Sequence, residues 1–438
     1  MVSPPALRSR AMSTKSSKGP NPPPGLRAPG ATECRYYDRR QCGGCTQLHV
    51  PYDLQTKAKH QSLEALLRPM GVVAVKPIVP SPDRKGWRTS VKLCLHEERD
   101  GNKTVGLYQD DGFRVVSQNG CLVQHPIIGR FANEFFQATR RGMIRFTNHR
   151  DRVFQKRRLK YLIIRAGGPL PKDSGNQAGR TSLGVIICHT GVSKDDLLKL
   201  ARSIPLVESG AVSVYESRLT PASEKALTGK YIDYLCGPET FPFQLHSETY
   251  PLTPGAFFQA NQKMAERLVS EVQESLKEGG DWLLDLYGGF GAYSIPLAGK
   301  FRHFSVVDGN FHAILAAQRS MVARGVTSGE AHAMRCEDFL NERISDKEAT
   351  SVTHVILNPP RNGLSQPVVA GLSPQRFLNL KKIIYVSCNP NALARDLVRM
   401  RETWPKVAFE ISSVRGFDMF PHTSHVELVA VLDMKRKA

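Results

Sequence analysis

The chain has 438 residues, 41% of them hydrophobic, enough for two or three domains with separate cores. Sixty Lys and Arg stand against 40 Asp and Glu, and this formal charge of +20 favours a polyanionic partner, nucleic acid above all. Apolar runs such as YLII and GVIIC are far too short to span a bilayer, which argues against a membrane protein.

Residues 1–32 carry Arg8, Arg10, Lys15, Lys18 and Arg27 with no acidic residue among many Pro, Ser and Gly. They lack the apolar core of a secretory signal, and the repeated prolines suit a disordered basic tail better than a transit peptide. Three of nine cysteines follow within twelve residues, Cys34, Cys42 and Cys45. Without a secretory signal this clustering points to metal or cluster ligation in a reducing compartment, hence a cytoplasmic protein, rather than to disulfides. Three thiolates leave one place open in a four-cysteine set, and Cys121, in NGCLVQHP, is the candidate to fill it. The residues themselves allow either a tetrahedral zinc or an iron–sulfur cluster. Cys94, Cys188, Cys236 and Cys336 stand alone and read as structural.

The stretch from Gln55 to Leu67 has a helical pattern, with Leu63, Leu66 and Leu67 on one face. Short β-type runs (SVKLCL, TVGLY, YLIIRA, LGVIICH, AVSVYE) then alternate with turns to about residue 240, predicting a mainly antiparallel sheet domain over 33–245. Between Arg140 and Arg165 lie ten Lys or Arg and one acid, Asp151, interleaved with Phe146, Phe154 and Tyr161. Basic groups neutralise phosphates and aromatic faces stack unpaired bases, so this segment is expected to touch RNA, mainly on the strength of the motifs in the C-terminal half; the plainer reading is a solvated charged surface whose aromatics face inward.

Residues 246–438 read as a second, α/β domain. WLLDLYGGFGAYSIPLA gives strand, Gly-rich turn and helix, and Asp308 ends the next strand in FSVVDGN. A carboxylate twenty residues after Gly288 can accept hydrogen bonds from ribose hydroxyls. Ser294 stands where a dinucleotide fingerprint needs its third glycine, so a ligand without a pyrophosphate fits better. Asp338, in RCEDFL, is expected at the following strand end.

Two further apolar runs end in polar residues, as buried parallel strands do when they serve a cleft at their carboxyl edge. His354 to Leu357 delivers Asn358, Pro359, Pro360 and Arg361. Ile383 to Ser387 delivers Cys388, just before the helical pattern ALARDLVRM. A cysteine there can have its thiolate favoured by the helix N-terminus. The plainer reading, a buried structural cysteine, is the commoner fate of a lone Cys. FEISSVRGFDMFPHTSHVELVAVLDM predicts two closing strands joined by a loop, with Glu427 starting the last one.

NPPRNG and YVSCNP, with GFDMFPHTSHVE downstream, resemble the S-adenosylmethionine-dependent RNA uracil-5-methyltransferases, and among them the compact branch that acts on 23S ribosomal RNA. The likeness runs over about 400 residues, from Cys34 to the C-terminus. It implies a Rossmann-like class I methyltransferase domain with a mostly parallel sheet, preceded by a smaller, mainly antiparallel β domain carrying the cysteine cluster. It also implies Cys388 as nucleophile and Glu427 as base, with Gln259, Tyr287, Asp308 and Asn358 on the methyl donor. Of the two metal readings it favours a [4Fe–4S] cluster on Cys34, Cys42, Cys45 and Cys121. The implied partner is 23S rRNA or a pre-ribosomal particle, met by a monomer. The family usually has cysteine at Gly288, often glutamate at Asp308, and asparagines near Gln318 and Arg324. The alternatives are a transfer-RNA uracil-5-methyltransferase and a non-catalytic RNA-binding or assembly protein that keeps the fold. Amino-group methylation fits less well, because Arg361 rather than an aromatic residue follows NPP.

Overall fold

The structure is a computed structural model and describes residues 32–435 except 73–74, 110–113, 142–143, 150–153, 171–178, 224–225, 227 and 405–407. The basic tail expected at the N-terminus lies outside the described residues, Thr32 apart.

The C-terminal half is built on one eight-stranded sheet. Its order is Val75–Val79, Ala408–Phe417, Glu427–Lys435, Lys382–Ser387, Val352–Leu357, Gly280–Leu286, Phe301–Asp308 and Gly329–Ala333. Every pairing is parallel except the two made by Glu427–Lys435. VTHVIL is buried at every position and KIIYVS at all but the first. Helices cover both faces, which is why these strands read as unbroken apolar runs and not as alternation. One covering layer includes Leu63, Leu67, Val368, Leu397 and Trp404, and the other Met264, Leu268, Ile314 and Ala317.

Two features of this sheet decide where chemistry can occur. The chain leaves Gly280–Leu286 and Val352–Leu357 in opposite directions, so a crevice opens between their carboxyl ends. The last strand runs against all the others, so its first residue lies at the edge where the others finish. Ser387 pairs with Leu428 and Phe417 with Glu427. One step beyond the Ser387–Leu428 pair, Cys388 therefore faces Glu427 across adjacent strands.

Helix Tyr52–Leu67 and strand Val75–Val79 also belong to this layer: Leu63 and Leu67 enter its core, and the strand lies parallel to Ala408–Phe417. The leucine spacing indicated the helix but not which sheet it covers, and the expected division at residue 245 left it with the smaller domain.

The second sheet runs Val115–Ser117, Lys103–Tyr108, Ser90–Glu97, Arg158–Pro169, Thr181–His189, Val212–Arg218 and Asp233–Cys236, with Arg145–Phe146 beside Arg158–Pro169. It is mainly antiparallel, as expected. Thr181–His189 and Val212–Arg218 pair in parallel because helix Lys194–Arg202 carries the chain back between them. Helix Pro126–Arg141, which the strand-like reading passed over, buries Ile128, Phe131 and Phe135 on this sheet. The hairpin Phe241–Leu245 and Glu248–Leu252 leads into the larger domain. Among the described residues no helix is long and apolar enough to cross a membrane.

Candidate active site

The loops after Val352–Leu357 and Lys382–Ser387 are fastened to each other. Asn389 Nδ2 donates to the Arg361 carbonyl at 2.9 Å, Arg395 to that of Asn362 at 2.9 Å, and Arg399 to that of Leu364 at 2.8 Å. Asn389 also caps helix Pro390–Thr403, its side chain accepting from Asn391 N at 3.2 Å. Pro390 takes the first helical position, where a missing N–H is harmless. Behind both loops, fully buried Asp396 accepts from Leu364 N and from the Tyr385 hydroxyl, each at 2.7 Å.

Cys388, half-buried, and Glu427, 2% exposed, meet at this edge. Burial pushes the Cys388 thiol up, the Glu427 carboxylate pushes it further, and Arg361 pulls it down. The expectation of a helix-favoured thiolate is therefore corrected for the resting protein. Desolvation is the largest influence on the thiol, and Asn389 accepts from an N–H of the first helical turn. Burial also raises Glu427 to about 7, with Arg361 acting against it. Its Oε2 has no hydrogen-bond partner among the described residues. A carboxyl that changes charge near neutrality, with a free oxygen, suits general base work. Exposed Arg361 acts on both groups. The sequence reading placed it among the residues delivered to the cleft but gave it no role.

The crevice beside this pair is lined by a turn that only certain residues tolerate. Tyr287 has φ +59°, and Gly289 and Gly291 follow at +58° and +75°. Asp308 accepts from Gly289 N at 3.0 Å and Asn310 N at 2.7 Å, and burial raises its pKa. A Cβ added at Gly289 or Gly309 would meet nothing within 4 Å, so open space lies beside these two glycines. Asn358 N donates to the Leu286 carbonyl at 3.2 Å, which seats Asn358 next to Tyr287. Gln259 arrives on a loop pinned to the same turn. Asn310 Nδ2 donates to the Gly255 carbonyl at 3.1 Å, and Thr253 Oγ1 lies 3.1 Å from His312 Nδ1. Ala260, one residue past Gln259, accepts from both N and Oγ1 of Thr89 in the smaller sheet, at 2.7 and 2.9 Å. Gln259, Tyr287, Asp308 and Asn358 thus gather at one sheet edge. An acceptor beside a glycine turn that has open space next to it fits the ribose of an adenosyl group.

Two details differ from expectation. The Gly-rich turn leads into a 3-10 helix, Ile295–Lys300, with Pro296 near its start, and not into an α-helix. Asp338 lies on the first turn of helix Cys336–Glu342 and binds Arg335 through both oxygens at 2.8 and 2.7 Å, so it is committed there and not at a strand end. Phe257, 62% exposed two residues before Gln259, and Phe311, 63% exposed, were not anticipated. In a sequence an aromatic ring signals core first, and only the fold reveals the exception.

Cys34, Cys42, Cys45 and Cys121, all half-buried, line one small cavity together with Tyr36, Tyr37, Leu48, Leu122 and Val123. The Tyr36 hydroxyl, donating to Asn119 O at 3.1 Å, joins the first segment to the turn before Cys121. Burial lowers the pKa of Arg88, and the thiols of Cys121, Cys45 and Cys42 beside it work the other way. The expected four residues converge, yet among the described residues no group of three or more His, Cys, Asp or Glu is set to hold a single metal ion. Cys94, Cys188, Cys236 and Cys336 are buried, as structural cysteines should be.

The basic segment is corrected in part. Phe146 is 1% and Tyr161 7% exposed, and Lys92 Nζ lies 3.5 Å from the Tyr161 ring centroid. Both rings are committed to the protein interior, so neither is free to stack on a base. Lys156 and Arg157 remain exposed, and Asp151 lies outside the described residues.

Comparison with known proteins agrees with this geometry. The family model for tRNA (Uracil-5-)-methyltransferase matches residues 230–435. An RNA methyltransferase of Listeria monocytogenes is 27% identical over 416 residues, spanning 92% of this chain and 84% of its own. The 23S rRNA (uracil(747)-C(5))-methyltransferase RlmC of Halothiobacillus neapolitanus is 28% identical over 405 residues, spanning 91% and 98%. Among solved structures, the Pyrococcus abyssi tRNA (uracil-54, C5)-methyltransferase in complex with S-adenosyl-L-homocysteine aligns with a TM-score of 0.65 at 26% identity, covering 89% of this chain and 86% of that one. With a crevice at the switch point and a cysteine facing a carboxyl beside it, the chain resembles the RNA (uracil-5-)-methyltransferases, whose family model matches its residues 230–435.

Proposed function

We propose that this protein methylates carbon 5 of one uridine in 23S ribosomal RNA through a transient bond between Cys388 and carbon 6. The observation that carries the reading is the reversed last strand, which sets Glu427 opposite Cys388 at the mouth of the donor crevice. Carbon 5 of uracil is too weak a nucleophile to take a methyl group unaided. Cys388, its thiolate favoured by Arg361 once its proton has gone to solvent, adds to carbon 6, and the displaced π electrons make carbon 5 enolate-like. Adenosylmethionine supplies the electrophilic methyl group. Gln259, Tyr287, Asp308 and Asn358 hold that donor, so that carbon 5 meets it in line. Glu427 Oε2 then takes the proton from carbon 5. The C–H electrons restore the ring double bond, the carbon–sulfur bond breaks, and Cys388 leaves as thiolate. The target base must be unstacked to be reached from both sides, and exposed Phe257, two residues before Gln259, is a candidate ring to receive it.

The four converging thiols are a donor set for a [4Fe–4S] cluster or zinc, and the likeness of the motifs to the uracil-5-methyltransferases favours the cluster. When bound it would staple the Cys34–Cys45 segment to the Cys121 turn, with the Arg88 guanidinium beside its negative charge. The smaller sheet and the cysteine segment would then grip the RNA while residues 246–438 perform the transfer. Likeness to RlmC across nearly the whole of that enzyme supports a ribosomal target. The archaeal tRNA enzyme supports transfer RNA as the second reading. Incubating the protein with labelled methyl donor and, separately, 23S rRNA or tRNA from cells lacking it separates the two. Label appearing as 5-methyluridine in tRNA alone would overturn the ribosomal assignment, and label in neither would overturn the activity.

A further inference from the structure

We infer that the segment Gln47–Lys59, directly after the cysteine triplet, positions the loop that carries the base, and that Gln55 is its central positioning residue for adduct release. The inference rests on the roles of Cys388 and Glu427 proposed above. The loop between Ala408–Phe417 and Glu427–Lys435 is irregular and owes much of its shape to residues more than 300 positions away. Asp418 accepts from Lys59 Nζ at 2.5 Å and from the Tyr52 hydroxyl at 2.6 Å, and the Lys59 and Asp418 side chains are 2% and 0% exposed. Lys59 also reaches the Phe420 carbonyl at 3.3 Å. His422 sits at φ +67°, a conformation a histidine keeps only when held there. Its N–H donates to Gln55 Oε1 at 2.9 Å, and its carbonyl accepts from Gln47 N at 2.9 Å. Gln55, 1% exposed, spends its amide donors on the carbonyls of Gln47 at 3.0 Å and Val50 at 2.8 Å. One buried side chain therefore locks the post-cysteine turn and the His422 turn to each other.

The consequence is selective for one step. Cys388 stands on a separate loop, fixed by Asn389 to Arg361. Loosening the His422 turn shifts Glu427, five residues on, and leaves the nucleophile in place. Proton removal from carbon 5 needs the carboxylate within hydrogen-bond reach. Addition of the thiol and methyl transfer do not use it. A displaced loop should therefore trap the methylated RNA on Cys388.

The test uses the full chain purified anaerobically with its iron content and thermal melt recorded, as wild type, Gln55→Met, Tyr52→Phe and Glu427→Gln. Each is incubated with labelled methyl donor and total RNA from cells lacking the protein, then resolved on denaturing gels into RNA-linked protein and free methylated RNA. In Gln55→Met, release should slow by about tenfold or more while methyl transfer in the first turnover changes by less than about threefold. Tyr52→Phe, which loses the bond to Asp418 and the one its hydroxyl accepts from Ser81 N at 2.7 Å, should show the same partition in weaker form. If Glu427→Gln accumulates labelled adduct while Gln55→Met and Tyr52→Phe release at the wild-type rate, or lose both steps equally, the positioning role is refuted. If Glu427→Gln forms no adduct, the base assignment itself is refuted.

Discussion

Replacing Glu427 by glutamine should change the pH dependence of stability in a way that reports how strongly this carboxyl is desolvated. Burial raises it from its ordinary 4.5 to about 7 in the folded protein. A raised folded pKa means that the native state holds the proton more tightly than the unfolded chain. Its contribution is fully present below about pH 4.5 and is lost as the pH climbs through about 7. At 1.36 kcal/mol for each tenfold step, this difference corresponds to about 3 kcal/mol lost across that window. Fully buried Asp285 is raised to about 7 as well, by burial first and then by Asp308. Wild type alone would therefore mix the two, and the comparison with the variant isolates Glu427. Glutamine has its own cost as a buried amide, but that cost does not vary with pH. Urea unfolding at the acid and alkaline ends of the window should show the variant gaining about 3 kcal/mol on wild type between them. A stability gap that stays constant across the window would mean that Glu427 ionises freely in the folded state, and the desolvated-base reasoning would fall.

Three other outcomes are expected. Cys388→Ala should abolish methyl transfer and leave donor binding unchanged in calorimetry, since the crevice residues lie on other strands; loss of binding would mean that the sulfur belongs to the donor site. Arg361→Gln removes the group that pulls both Cys388 and Glu427 down, so the acid limb of the rate profile should move to higher pH; an unmoved limb would separate Arg361 from both. Asp308→Asn, by weakening the proposed charge-assisted hydrogen bond to ribose, should cost about 10- to 100-fold in donor affinity and leave RNA affinity alone.

Much of the catalytic layer was legible because its signals are local. VTHVIL and KIIYVS read as buried strands since both faces are covered, and the polar residues after them marked the functional edge. The post-NPP arginine, the brace at Gln55 and the exposed ring of Phe257 were not legible in the same way. Each depends on which distant segment packs where, and residue type pointed to the commoner role. Phe146 and Tyr161 show the same limit from the other side: interleaving with basic residues suggested base stacking, while strand register turned both rings inward.

The sequence by itself determined the buried strands of the catalytic layer, the Gly-rich turn with its carboxylate, and the chemistry available in a strand-end cysteine, because each is written in neighbouring residues. Only the tertiary structure decided that Glu427 faces Cys388. That pairing follows from one strand running against seven, a choice made by contacts between segments dozens to hundreds of residues apart. The same long-range packing places helix Tyr52–Leu67 and strand Val75–Val79 on the catalytic layer and raises the pKa of Glu427 through burial, neither of which a local pattern encodes.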